Sequence, residues 1–226
     1  MTLPGSEPLA ENPYAAPRVD TDARELPPLA TRARVARALL FLNAPVLLAG
    51  AVYTALVQAD VVRMDGGEFD SPRFQIGISL ACVTVGLRIA TVIAFLIWLH
   101  AAYLRAGAGV VDARFTPAAS IAWWFVPVAN MWMPFLALRH LWQLSRHGAH
   151  WRGSAPPVQV AAWWSIWLAS VLAGAVAPLL GWLWNPWPLG QVLGFAAPGL
   201  AIVAALMAAR LVREITAMQH ARLGVA

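Results

Sequence analysis

Four apolar runs, at about 38–59, 74–99, 160–184 and 190–209, dominate the chain. Each approaches or exceeds the ~20 residues with which a helix crosses a ~30 Å hydrocarbon core. Inside that core a spanning segment must satisfy its own backbone, and a helix does so within one segment. Composition agrees: 60% of the residues are hydrophobic and 12% are charged, against roughly 25% charged in an ordinary soluble domain. The expected fold class is an all-α integral membrane protein.

A fifth apolar stretch fits less well. Trp123 to Pro134 reads "WWFVPVANMWMP", with two prolines and an asparagine. Pro127 and Pro134 lack the amide hydrogens that would meet the carbonyls of Trp123 and Asn130, four residues back. Broken backbone at membrane depth survives only when buried in protein or at a wet surface. The Asn130 side chain is suited to capping such a break, because it can bond local backbone groups.

The arginines bear on the same question. All 16 basic residues are arginine, scattered along the chain, which excludes a concentrated nucleic-acid surface. Cytoplasmic flanks of membrane spans carry the excess of basic residues. Arg32, Arg34 and Arg37 precede the first span, and Arg210, Arg213 and Arg222 follow the last. Both termini therefore read as cytoplasmic. The loop after the first span carries Asp60, Asp65, Glu68 and Asp70 against Arg63 and Arg73, and reads as external, as does the uncharged turn "NPWPLG".

The fifth stretch has basic flanks on both sides, Arg105 and Arg114 before it and Arg139, Arg146 and Arg152 after it. If it crossed, one of those flanks would lie outside. The expectation is therefore four transmembrane helices plus a proline-broken re-entrant or interfacial element at 115–150; five spans is the alternative. Beyond Pro134, Arg139, Gln143, Arg146, His147 and His150 form a polar stripe opposite Phe135, Leu138, Leu141 and Trp142. Such a helix is expected to lie in the interface, with its basic face towards lipid head groups.

Residues 1–30 contain six prolines and little apolar surface, and are expected to form a disordered cytoplasmic tail. A membrane domain is assigned to 31–215 and a short tail to 216–226. Cys82 is the only cysteine and lies in an apolar run, so neither a disulfide framework nor a cysteine metal cage is expected.

The segment Arg114 to Ser145, with "FLIWLHAAY" before it and "AAWWSIWLAS" after it, resembles bacterial membrane proteins of the domain of unknown function family numbered 4328. Phe115, Pro117, Trp124, Phe125, Pro127, Asn130, Trp132, Pro134, Arg139 and Trp142 carry the resemblance, which spans roughly residues 35–215. It implies a multi-span protein of a bacterial inner membrane and assigns no catalytic residue.

Arg88 is the sharpest chemical feature, near the midpoint of the second run with no acid in that run. A mid-membrane arginine marks an anion or lipid-phosphate site or a polar lock between helices; otherwise the helix is tilted and the side chain snorkels. Asn43, Asn130, carbonyls freed by Pro45 or Pro127, or an acid from the outer loop are its candidate partners. His147 and His150 share a helical face but lack a third ligand, so no metal or other cofactor is expected. Most of the 12 tryptophans read as aromatic belts at the two membrane boundaries.

Three functions compete. The expected one is a non-enzymatic scaffold or regulatory component contacting the lipid bilayer, copies of itself or other membrane proteins. The second is a small transporter or channel component with Arg88 in a polar cavity. An intramembrane enzyme is disfavoured, since no acid lies in any span to work with the histidines.

Overall fold

A computed structural model describes residues 28–59, 71–107, 114–152, 154–155, 157–183 and 188–223. Six α-helices make up the fold, with no strand among the described residues: α1 (Leu29–Gln58), α2 (Pro72–Gly107), α3 (Pro117–Ala122), α4 (Met133–His147), α5 (Val158–Leu183) and α6 (Pro188–Leu223). Four of them, α1, α2, α5 and α6, are long and apolar enough to cross a membrane. The protein is an all-α integral membrane protein with four candidate spans. The fifth apolar stretch forms no fifth long helix. The tail at 1–27, the acidic loop at 60–70 and the "NPWP" turn lie outside the described residues.

The long helices form an arc in the order α2, α1, α6, α5. Small residues let α5 and α6 approach closely: an added Cβ on Gly174 would meet Ala197 at 3.8 Å, and one on Gly194 would meet Ala177 at 4.0 Å. Close backbone approach of this kind replaces the hydrophobic drive that lipid removes. Between α1 and α2 the tie is polar. Buried Asn43 donates to Leu39 O (2.8 Å) and Thr91 Oγ1 (2.7 Å), and Thr91 donates to Leu87 O (2.7 Å). Further along, α2 turns much of its surface outward, with Ile76, Val83, Val85, Ile89 and Val92 exposed. In water such a face would be unstable, and in hydrocarbon it is the expected one.

The arc does not close, because α2 and α5 scarcely touch. At one end of the bundle the gap is filled by the broken element: α3, a turn, a 3₁₀ turn at Ala129–Met131, and α4. This is the basic end, where α1 begins and α6 finishes. Thr116 caps α3 by accepting from the Ala119 amide (3.1 Å), with Pro117 at the start of the helix. Pro134 also lies in a first turn, that of α4, so it starts a helix where it was expected to break one.

Two expectations change here. The apolar face of α4 does not lie in lipid: Leu138, Leu141 and Leu144 are wholly buried against α2, α5 and α6. Gln143, placed on the polar stripe by spacing, is buried too, and donates to Ser154 O (3.1 Å). Residues 216–223 are not a tail but the last two turns of α6, with Thr216 and Gln219 inside the bundle. Trp98 Nε1 donates to Thr216 Oγ1 (3.1 Å), and Gln219 Nε2 donates to Ala102 O (3.1 Å) and Ser145 Oγ (2.9 Å). These bonds join α2, α4 and α6 at the basic end.

At the end of α4, Gly148 adopts a left-handed φ of 59°, a conformation that only glycine adopts without strain. Arg222 crosses this corner and donates to Leu144 O (2.6 Å), covering a last-turn carbonyl. A Cβ on Gly148 would sit 2.7 Å from Arg222 Nη2.

The four-helix topology is checked by cysteine labelling in a Cys82→Ala background. Single cysteines replacing Arg34 and His147 should react with an impermeant reagent from one side of the membrane, and one replacing Asp65 from the other. Labelling of His147 from the Asp65 side would establish a fifth crossing.

Candidate functional site

The gap between α2 and α5 is filled at the basic end only. Beyond the broken element it leaves a cavity of about 540 Å³, walled by all four long helices and by Trp124. Its walls are mostly leucine, valine and alanine, with Asn43, Thr91, Ser170 and Arg88 as the polar groups. Arg88 and Val92 are exposed at its edge on α2.

The floor is aromatic. Phe95 packs edge-on to Trp124 (centroids 5.7 Å) and tilted to Trp163 (6.3 Å). Trp124 in turn meets Trp164 (6.2 Å) and Trp167 (6.1 Å), and those two stack at 4.6 Å. The tryptophans expected to form the inner lipid belt are therefore inside the protein: Trp98 is 0% exposed and Trp163 3%. They turn inward because the broken element offers them an apolar partner, and Trp164 a polar one. At the far end Trp182 is 81% exposed, as a belt residue should be.

Asn43 was one candidate partner of Arg88, and both line the cavity. Asn43 is spent on Leu39 and Thr91, and Arg88 makes no hydrogen bond or ion pair among the described residues. Glu214, the one described carboxylate, lies on α6 outside the cavity. At 1.5 Å per residue, Arg88 is about 23 Å along α2 from Arg73 and about 26 Å from Arg105.

The motif residues are brought together around the break. Val126 O accepts from the Asn130 amide at 2.7 Å, and Ala129 O from the Trp132 amide at 3.1 Å. The Asn130 side chain does not cap the break; its Oδ1 is buried without a partner. The fastening comes from α5, where Trp164 Nε1 donates to Met131 O (3.2 Å). Phe125, Val128 and Trp132 are exposed at the tip, at 71%, 68% and 48%, beside exposed Pro127. Of the basic stripe, Arg146 and His147 are exposed and Arg139 is half-buried. The Arg146 guanidinium lies over Trp142, 5.1 Å from the ring centroid.

His140 was missed by sequence reasoning, which gave it no site role. It is 2% exposed and edge-on to Trp151 at 4.6 Å. Its Nε2 accepts from the Arg114 amide (3.4 Å), and its Nδ1 faces Tyr103 Oη (3.4 Å), which donates to Ala137 O (2.6 Å). The tautomer assigned from this network is neutral, with the proton on Nδ1. Burial, with the Arg114 charge in second place, lowers its pKa to about 4. The signal in the sequence was position: His140 falls on the α4 face shared by Ala137, Leu141 and Leu144.

A family model described as Domain of unknown function (DUF4328) matches residues 70–217, from α2 to the last turns of α6. It covers the broken element and the cavity walls supplied by α2, α5 and α6, and leaves out α1. No curated protein and no solved structure matches the chain.

Two outcomes follow from this geometry. Replacing Trp164 by Phe leaves Met131 O without its donor, and unfolding in mixed micelles should show a loss of about 1 kcal/mol; unchanged stability would remove the fastening role. His140 is neutral when folded and titrates near 6.5 when unfolded. Its contribution is thus complete above pH 6.5 and is lost as pH falls to about 4. Thermal stability should decline across that window, and less steeply in His140→Gln; parallel curves would contradict it.

Proposed function

The chain belongs to the DUF4328 family, and on that premise we propose that it is a non-enzymatic scaffold or regulatory component of a bacterial inner membrane. Its basic end faces the cytoplasm, as the arginine excess there requires. Its contacts are lipid and partner proteins, made through the exposed tip of the broken element and through Arg146 and His147.

One observation carries this reading. The cavity is closed at the basic end by the contiguous layer of Phe95, Trp124, Trp163, Trp164 and Trp167. A bundle closed in this way can hold a guest but gives a solute no route across. Catalysis has little support in the described residues, where the one carboxylate, Glu214, lies outside the cavity.

The second reading, a transporter or channel component, is favoured by Arg88, a cation at the cavity with no partner among the described residues. Flux decides between them. Proteoliposomes carrying the wild-type chain should be as tight to chloride and phosphate as those carrying Arg88→Leu. Uptake by the wild type that disappears in an equally abundant Arg88→Leu protein would establish transport and displace the scaffold reading.

A further inference from the structure

We propose that the α2–α5 cavity binds a long-chain fatty acid, with its carboxylate on Arg88 and its chain along the apolar walls. This goes beyond the scaffold reading and stands whether or not a solute crosses. The cavity lining carries one cation and no carboxylate. Its smaller polar groups are turned inward to the protein: both Asn43 amide hydrogens, the Thr91 hydroxyl and the Ser170 hydroxyl donate to protein oxygens. Left over are donors. Among the described residues Arg88 has no acceptor, and the indole nitrogens of Trp124 and Trp163, both lining residues, are buried without one.

Such a site requires an anionic acceptor, and the remaining walls require an apolar body. The route of entry selects among anionic amphiphiles. α2 and α5 scarcely touch, so the opening faces lipid, and the guest's head group must travel to the middle of the bilayer. A phosphodiester stays charged, and moving an isolated ion into hydrocarbon is prohibitive. A carboxylic acid escapes this, because desolvation raises its pKa and it travels neutral. Beside Arg88 the charged form is favoured again. The proton taken up on entering the membrane is released to water when the acid ionises. An arginine fork presents two parallel N–H groups to the two oxygens of such a carboxylate.

The test uses the full chain in phosphatidylcholine nanodiscs and isotope-labelled oleic acid. Oleate should bind saturably to the wild type, at least tenfold more weakly to Arg88→Leu, and with intermediate affinity to Arg88→Lys, which keeps the charge and loses the fork. Ala201→Phe, which fills the cavity from α6, should abolish binding. Oleyl alcohol, with the same chain and no charge, should bind weakly and equally to wild type and Arg88→Leu. Equal binding of alcohol and acid, unaltered oleate binding in Arg88→Leu, or displacement of oleate by acetate or phosphatidylglycerol would each overturn the proposal. Should Arg88→Leu fail to insert, the cavity variant decides: oleate binding by Ala201→Phe at the wild-type level overturns it.

Discussion

A backbone carbonyl in hydrocarbon has no water to turn to, and the rest of this structure is arranged around that constraint. The long helices meet it internally. The chain from Trp123 to Trp132 does not, and it depends on short local turns and on Trp164, which brings an indole N–H from α5 to Met131 O. That donor adds a polar tie between α5 and the break to the aromatic contacts that Trp124 makes with Trp164 and Trp167.

The cavity is a consequence of this arrangement. Four helices packed in sequence leave a gap between the first and last members of the arc, here α2 and α5, and an inserted element shorter than the span fills only part of it. Trp124 marks how far the element reaches, since it meets Phe95 on α2 and Trp167 on α5. Beyond Trp124 the gap is open, and Arg88 faces it seven residues further along α2 from Phe95. The unpaired arginine and the broken element thus occupy one gap, the element filling its basic end and the arginine its middle.

Much of this was legible in the sequence. Run lengths gave four spans, and the arginines on both flanks of Trp123–Pro134 argued against a crossing there, with five spans as the alternative. What stayed hidden was the partner of each apolar face. A stripe of leucine and tryptophan on α4 looks the same whether it meets lipid or protein, since both are apolar. Spacing alone therefore assigned Leu138 and Leu141 to the acyl boundary and the inner tryptophans to a belt. The small polar residues are subtler. Gln143, Ser145, Thr216 and Gln219 could be read as surface residues, but each finds a partner inside the basic end of the bundle. Pairing across helices is a property of the fold, and no local pattern announces it.

Trp124 belongs at once to the break and to the cavity floor, so it is where a guest and the basic end of the bundle can be connected. Arg88 does not touch the break, and its charge can choose a guest without moving anything. A guest shifts a conformational equilibrium only by contacting two arrangements unequally. In this cavity the side chain best placed for such a difference is Trp124, whose indole nitrogen is buried without an acceptor. On the proposed reading, Arg88 therefore determines what enters, and the aromatic layer is the surface on which its presence is felt. Selectivity and response then rest on different residues, Arg88 on α2 and Trp124 in the turn after α3, one charged and the other aromatic.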